Sequence, residues 1–196
     1  MHVGLIFQPQ LNDPQNYYYF QHGFSKPELT QIYKDVETLP FQDATTIGQV
    51  NDNKEVRSSK IKWIPQNEDW AWLYRKMGEL VTTANNALWR FDLVSMPEHI
   101  QYTEYYASED GHYDWHQDIG PSTASLRKVS ITVQLSESDE YEGGDLELTQ
   151  GVGNLAMPRG AGVTIIFPSY MLHRVTKVTK GTRRSFVLWV GGQHFR

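Results

Sequence analysis

The chain has 196 residues, a formal net charge of −5 and no cysteine, which excludes disulfides, thiolate catalysis and sulfur-ligated metals and leaves His, Asp and Glu as metal donors. Hydrophobic residues make up 39% and charged residues 21% of the sequence, the balance of one globular domain and not of a disordered or fibrous chain. The acidic charge gives no expectation of nucleic acid or anionic membrane as a partner. With no apolar run approaching about 18 residues and no secretory leader in MHVGLIFQPQLNDP, the expectation is a cytoplasmic, complete protein.

In chain order, Ser25 to Pro40 predicts a helix: Ser25 and Glu28 have capping-box spacing, Leu29, Ile32, Tyr33 and Val36 recur at helical intervals, and Pro40 stops it. RSSKIKWIP, residues 57–65, alternates Ser59, Ile61 and Trp63 against Lys60 and Lys62 and suits a strand with one wet face. A second helix is expected from Asn67, with two acids in its first turn and Leu73, Met77, Leu80 and Val81 as its apolar stripe. After Arg90 only short strand-like runs follow, among them HIQYTEYY, RKVSITVQLS, GVTIIFPS and RRSFVLWVGG. Two helices and then about eight strands predict a mainly β protein, a double-stranded β-helix or jelly roll with N-terminal helices packed on one sheet. The expected organisation is a single domain over 1–196, with helical support in 1–90 and the jelly-roll core in 91–196.

Three stretches carry chemistry. In YDWHQDIG, residues 113–120, strand parity sends His116 and Asp118 to the same side, a pairing that suits two metal ligands, an acid/base pair or a surface hydrogen bond. In KVSITVQL, Val129, Ile131, Val133 and Leu135 form an apolar face, and Ser130, Thr132 and Gln134 form a polar one that faces solvent when read by itself or else lines a polar cavity. His173 stands in a later apolar strand; added to His116 and Asp118 it completes a 2-His-1-carboxylate set, the donor combination that holds Fe(II) on one face and leaves positions open. Ten residues on, past an expected turn at TKGT where Gly181 relieves the backbone, Arg183, Ser185, Val187 and Trp189 share one strand face and Arg184, Phe186, Leu188 and Val190 the other. Arg183 and Ser185 on a cavity wall can hold a carboxylate through a charge-assisted pair and a hydroxyl.

YYASEDGHYDWHQD, RKVSITVQLSESDEYEGGDLEL and MPRGAGVTIIFPSYMLHRVTKVTKGTRRSFVLWV together resemble the Fe(II)/2-oxoglutarate-dependent dioxygenases, specifically their prolyl 4-hydroxylase-like branch with its bacterial and phage relatives, over about residues 100 to 192. The resemblance implies that His116, Asp118 and His173 ligate iron and that Arg183 pairs with the C5 carboxylate of 2-oxoglutarate. It implies Tyr106 as the tyrosine bonding that carboxylate from the opposite wall, with Tyr105 as the competing residue, and Ser185, Thr132 and Gln134 as its further neighbours. Gln134 stands where many members carry a tyrosine. Tyr113 and Trp189 match positions that line the substrate pocket. YEGGDLEL resembles the family's Gly-Gly hairpin, for which backbone freedom is the physical reason.

The implied reaction consumes 2-oxoglutarate and dioxygen, releases succinate and carbon dioxide and hydroxylates a C–H bond, with ascorbate as the expected reductant. The expected substrate is a prolyl residue in a peptide or protein; a free amino acid or other small molecule is the alternative. A zinc hydrolase would use the same three ligands but has no use for Arg183, a noncatalytic cupin-like binding protein would keep the barrel without turnover, and a nucleic-acid demethylase calls for a basic, aromatic lid. Specificity is expected in the loops FQDATTIGQVNDNKEVRSS and SESDEYEGG.

Overall fold

The computed structural model describes residues 16–44, 54–150 and 153–193. The stretch MHVGLIFQPQLNDP and the centre of the first proposed specificity loop, 45–53, lie outside the described residues.

The elements in order are β1 (Tyr18–Phe20), α1 (Lys26–Val36), β2 (Gln42–Asp43), β3 (Arg57–Ser58), β4 (Lys60–Ile64), α2 (Ala71–Ala87), β5 (Leu93–Ser95), β6 (Ile100–Tyr106), β7 (His112–His116) and β8 (Arg127–Gln134). There follow β9 (Tyr141–Gly143), β10 (Leu146–Gln150), β11 (Gly153–Ala156), β12 (Thr164–Pro168), β13 (His173–Val175) and β14 (Val178–Gly192). The larger sheet runs β1-β12-β8-β14-β6-β4-β2, with β5 and β9 also pairing β14; the smaller runs β11-β10-β13-β7-β3. All pairings are antiparallel. This is the expected jelly roll, and β1 to β4 show that the first 90 residues contribute strands to both sheets as well as the helices.

Two apolar cores fill the fold. The outer one joins Leu29, Ile32 and Val36 of α1 and Leu73, Met77 and Val81 of α2 to Val129, Ile131 and Val133 of β8 and Phe186, Leu188 and Val190 of β14. Each such side chain, fully buried, contributes about 1.5–3 kcal/mol. The inner core, between the sheets, includes Tyr105, Leu146, Leu148, Phe167 and Val175. Ser25 enters α1 as expected, its backbone N–H donating to Glu28 Oε2 at 2.7 Å.

Four expectations change. β8 is buried on both faces, so Ser130, Thr132 and Gln134 turn into the space between the sheets and not to solvent. Lys62, expected on a wet face, is 6% exposed; its ammonium donates to the Val36 carbonyl at the end of α1 at 2.9 Å, because α1 covers that side of β4. Helix α2 starts at Ala71 and not Asn67, since Asn67 Oδ1 accepts the Trp70 N–H at 3.2 Å and holds Glu68 and Asp69 in a preceding turn. TKGT is no turn: β14 runs through it, pairing β9 at Val178–Gly181 before β6 and β8. Gly181 sits there at φ +71, where a Cβ would lie 2.1 Å from the Glu140 carbonyl oxygen.

Candidate metal centre and cosubstrate cavity

The site begins with an irregularity in β7. His173 faces His116 and Val175 faces Tyr113, so two steps along β13 span three along β7, the extra residue of a β-bulge. Residues three apart in a regular strand face opposite ways; here the bulge brings them together, and the Tyr113 and His116 rings stack at 3.5 Å with an interplanar angle of 14°. The strand ends at His116. Asp118 is carried by the following bend, whose N–H donates to the Ser169 carbonyl at 2.9 Å. The side shared by His116 and Asp118 therefore comes from that bend and not from strand parity.

The donor atoms of His116, Asp118 and His173 all lie within 4.8 Å of one another, the one such group among the described residues. His116 Nε2 is 3.8 Å from Asp118 Oδ1 and His173 Nε2 is 3.6 Å from Oδ2. The other nitrogens are committed: His116 Nδ1 contacts the Asp114 carbonyl at 2.7 Å and His173 Nδ1 the Met171 carbonyl at 2.9 Å. A carbonyl only accepts, so each Nδ1 carries a hydrogen, the tautomer that leaves the Nε2 lone pair for a metal in the neutral ring. Burial, reinforced by His173, holds the His116 pKa down to about 3, favouring the neutral ring that a metal needs. Burial works against the Asp118 carboxylate, but His173, His116, the Ser130 hydroxyl and Arg127 outweigh it and keep its pKa below the usual carboxylate value. Two imidazoles that present Nε2 and one carboxylate are a donor set that fits a divalent iron ion.

A cavity of about 220 Å³ opens beside this cluster. Tyr113, His116, Asp118, Thr132, His173, Arg183, Ser185 and Trp189 all line it. The inward parity of Arg183, Ser185, Val187 and Trp189 on β14 is as expected, since all four are lining residues. Arg183 is 1% exposed. It donates to Gln134 Oε1 at 2.9 Å and to Ser185 Oγ at 3.2 Å, while its Nε is buried with no partner. A buried guanidinium held only by neutral groups is a site for an anion.

The family model of the 2OG-Fe(II) oxygenase superfamily matches residues 100–191. A PKHD-type hydroxylase of Crocosphaera subtropica is 30% identical over 169 residues, covering 83% of this chain and 76% of the relative. The chain belongs to the 2OG-Fe(II) oxygenase superfamily. A PKHD-type hydroxylase of Alteromonas mediterranea is 29% identical over 182 residues, covering 85% of this chain and 74% of the relative. The fold is shared with a Trichoplax adhaerens prolyl hydroxylase solved in complex with a hypoxia inducible factor peptide fragment, at TM-score 0.75, 18% identity and coverage of 90% and 84% of the two chains. This oxygenase is accordingly a dioxygenase with Fe(II) and 2-oxoglutarate as its metal and cosubstrate, which removes the zinc hydrolase and the noncatalytic binding protein. Among its described residues no helix is long and apolar enough to cross a membrane.

One expected residue is misplaced. Tyr106 does not line the cavity; it shares the outer face of β6 with Glu104, to which its hydroxyl donates. Tyr105 stands directly opposite Arg183 in the β6–β14 register and lines the cavity, with the guanidinium 5.3 Å from its ring centre. Gln134 is not a wall of the cavity but lies behind it, its carbonyl occupied by Arg183. The Gly-Gly hairpin does more than relax the backbone. A Cβ on Gly144 would come within 3.1 Å of Arg183 Cδ and 3.3 Å of Tyr141 Cδ2, so that glycine also makes room for the arginine stem.

Four further polar residues shape the site without a motif to reveal them. Arg127 makes a bidentate pair with Glu98 at 2.5 Å, donates to the Asp118 carbonyl at 3.0 Å and lies 3.7 Å over the Trp189 ring. Arg57 donates to Gln101 Oε1 at 2.7 Å and lies 4.6 Å over the Tyr113 ring. Arg57 and Arg127 thus flank the two aromatics that resemblance assigns to the substrate. Only their strand neighbourhoods, and no spacing rule, could have marked them.

Proposed function

We propose that this enzyme hydroxylates a C–H bond of a prolyl residue in a peptide or protein, converting 2-oxoglutarate to succinate and carbon dioxide. The observation that carries the cosubstrate half is the Arg183 guanidinium, buried with neutral partners only, in the same cavity as the His116, Asp118 and His173 donors. In this reading His116 Nε2, His173 Nε2 and Asp118 hold the iron, which supplies the oxidising power when bound. Arg183 binds the C5 carboxylate; Ser185 and Thr132 give it hydroxyl donors, and Tyr105 takes the role expected of Tyr106. Gln134 fixes the guanidinium from behind. Tyr113 and Trp189, with faces covered by Arg57 and Arg127, form the aromatic walls against which a proline ring is placed and water is excluded.

The peptide substrate is supported by the relatives, which are hydroxylases, and by the fold neighbour solved with a peptide fragment. Ascorbate serves as the reductant that keeps the metal ferrous, residues 1–196 act as one domain, and the enzyme works in the cytoplasm. The test is succinate release by iron-loaded protein against a panel of proline-containing peptides, free proline and other free amino acids, with mass spectrometry for the added oxygen. Peptide-stimulated turnover with oxygen on proline is the expected result. Stimulation by free amino acids alone would move the assignment to a small-molecule hydroxylase.

A further inference from the structure

Behind the Asp118 carboxylate stand two serines, Ser130 of β8 and Ser169 just beyond β12, both with no exposed surface. Neither is among the residues lining the cavity. Ser130 Oγ donates to Asp118 Oδ2 at 2.6 Å, and Ser130 Oγ and Ser169 Oγ are 3.0 Å apart. The direction of this chain follows from the chemistry of its end. An ionised carboxylate can only accept, so the single Ser130 hydrogen goes to Asp118, and Ser130 must accept in the contact with Ser169. Ser169 is held in turn by its backbone: its carbonyl accepts the Asp118 N–H and its own N–H donates to the Lys128 carbonyl, each at 2.9 Å.

Without that hydroxyl the two carboxylate oxygens would be nearly equivalent. Oδ1 is 3.8 Å from His116 Nε2 and Oδ2 is 3.6 Å from His173 Nε2, so a carboxylate free to turn could offer both to one ion. An acid that supplies two oxygens fills a position that the cosubstrate needs. We propose that Ser130, aimed by Ser169, is a positioning residue that reserves Oδ2 of Asp118 and makes the acid a one-oxygen ligand through Oδ1. The inference rests on the metal-ligand reading above and adds to it the device that keeps coordination positions open.

Metal binding to the apoprotein tests it without turnover. Co(II) is titrated anaerobically into wild type, Ser130→Ala, Ser130→Thr and Ser169→Ala, and both affinity and the visible spectrum of the bound ion are read; that spectrum responds to coordination number. The expected result for Ser130→Ala is a loss of about 10- to 100-fold in affinity, the usual cost of removing a partner of a metal ligand, together with an altered spectrum. Ser130→Thr, which keeps the hydroxyl, should restore the wild-type spectrum, and Ser169→Ala should shift affinity in the same direction by less. Circular dichroism melts of each apoprotein show whether the fold survives, and Ser169→Ala carries the test if either position-130 variant fails to fold. Wild-type affinity and spectrum in Ser130→Ala, or in Ser169→Ala where that variant carries the test, would overturn the proposal. A wild-type protein that binds no Co(II), or whose binding is unaffected by His173→Ala, would overturn the metal-ligand reading itself, a distinguishable failure.

Discussion

The strand pair β6–β14 presents two arginine–partner pairs side by side and treats them in opposite ways. On the inner face Arg183 stands across from Tyr105, and on the outer face Arg184 stands across from Glu104. Arg184 Nε donates to Glu104 Oε1 at 3.1 Å, and the Tyr102 and Tyr106 hydroxyls donate to the same carboxylate. Burial alone would raise the Glu104 pKa, but these hydroxyls and Arg184 together bring it below its ordinary value. The outer charge is thus fully answered within the protein. The inner guanidinium has only the Gln134 and Ser185 oxygens. A charge compensated internally is structural, and a buried charge left with neutral partners is a place for a ligand.

The largest expected effect lies at the metal end of the inner face. His116→Ala or Asp118→Ala should abolish succinate formation while the circular dichroism spectrum stays that of the folded protein; substantial turnover in either variant breaks the assignment of those ligands. Next is Arg183→Leu. Losing one partner of a desolvated charge pair costs about 2–5 kcal/mol, roughly 30-fold to several-thousand-fold in affinity. A 2-oxoglutarate titration of succinate production should show the apparent requirement rising by at least about tenfold.

Arg184→Leu should invert that pattern. It leaves Glu104, 7% exposed, without its cation, so stability should fall by about 1–3 kcal/mol in denaturant titrations, while the 2-oxoglutarate requirement stays within about threefold. A larger cosubstrate effect at 184 than at 183 would break the comparison and show β14 off register by one. The same outer cluster has a pH signature. Because the folded-state pKa of Glu104 is lowered from 4.5, its stabilisation is present above the unfolded value and is lost as pH falls through the folded one. The stability advantage of wild type over Glu104→Gln should therefore shrink as pH drops below about 4.5, as measured by thermal melts. In the cosubstrate titration Ser185→Ala should fall between the two arginine variants, since one neutral hydrogen bond of about 0.5–1.5 kcal/mol corresponds to a 2-oxoglutarate requirement raised by roughly two- to tenfold.

Much of this was legible in the sequence because it depends on periodicity and donor chemistry, both local properties. The apolar faces of α1, α2 and β8 and the inward set Arg183, Ser185, Val187 and Trp189 follow from spacing two or spacing 3.6, and the combination of His116, Asp118 and His173 follows from which side chains can bind a metal. The absence of cysteine alone restricted any metal to such donors. What only the tertiary structure decided is where local regularity breaks or where distant segments meet. The bulge that stacks Tyr113 on His116 depends on how β7 pairs with β13, and the choice of Tyr105 over Tyr106 depends on which residue β14 sets opposite Arg183. The burial of Lys62 depends on α1 lying over β4, and the two serines behind Asp118 are 39 residues apart in the chain. A strand's own alternation says which residues share a face, but the partner strand and the layer above determine whether that face meets solvent, apolar core or a cavity.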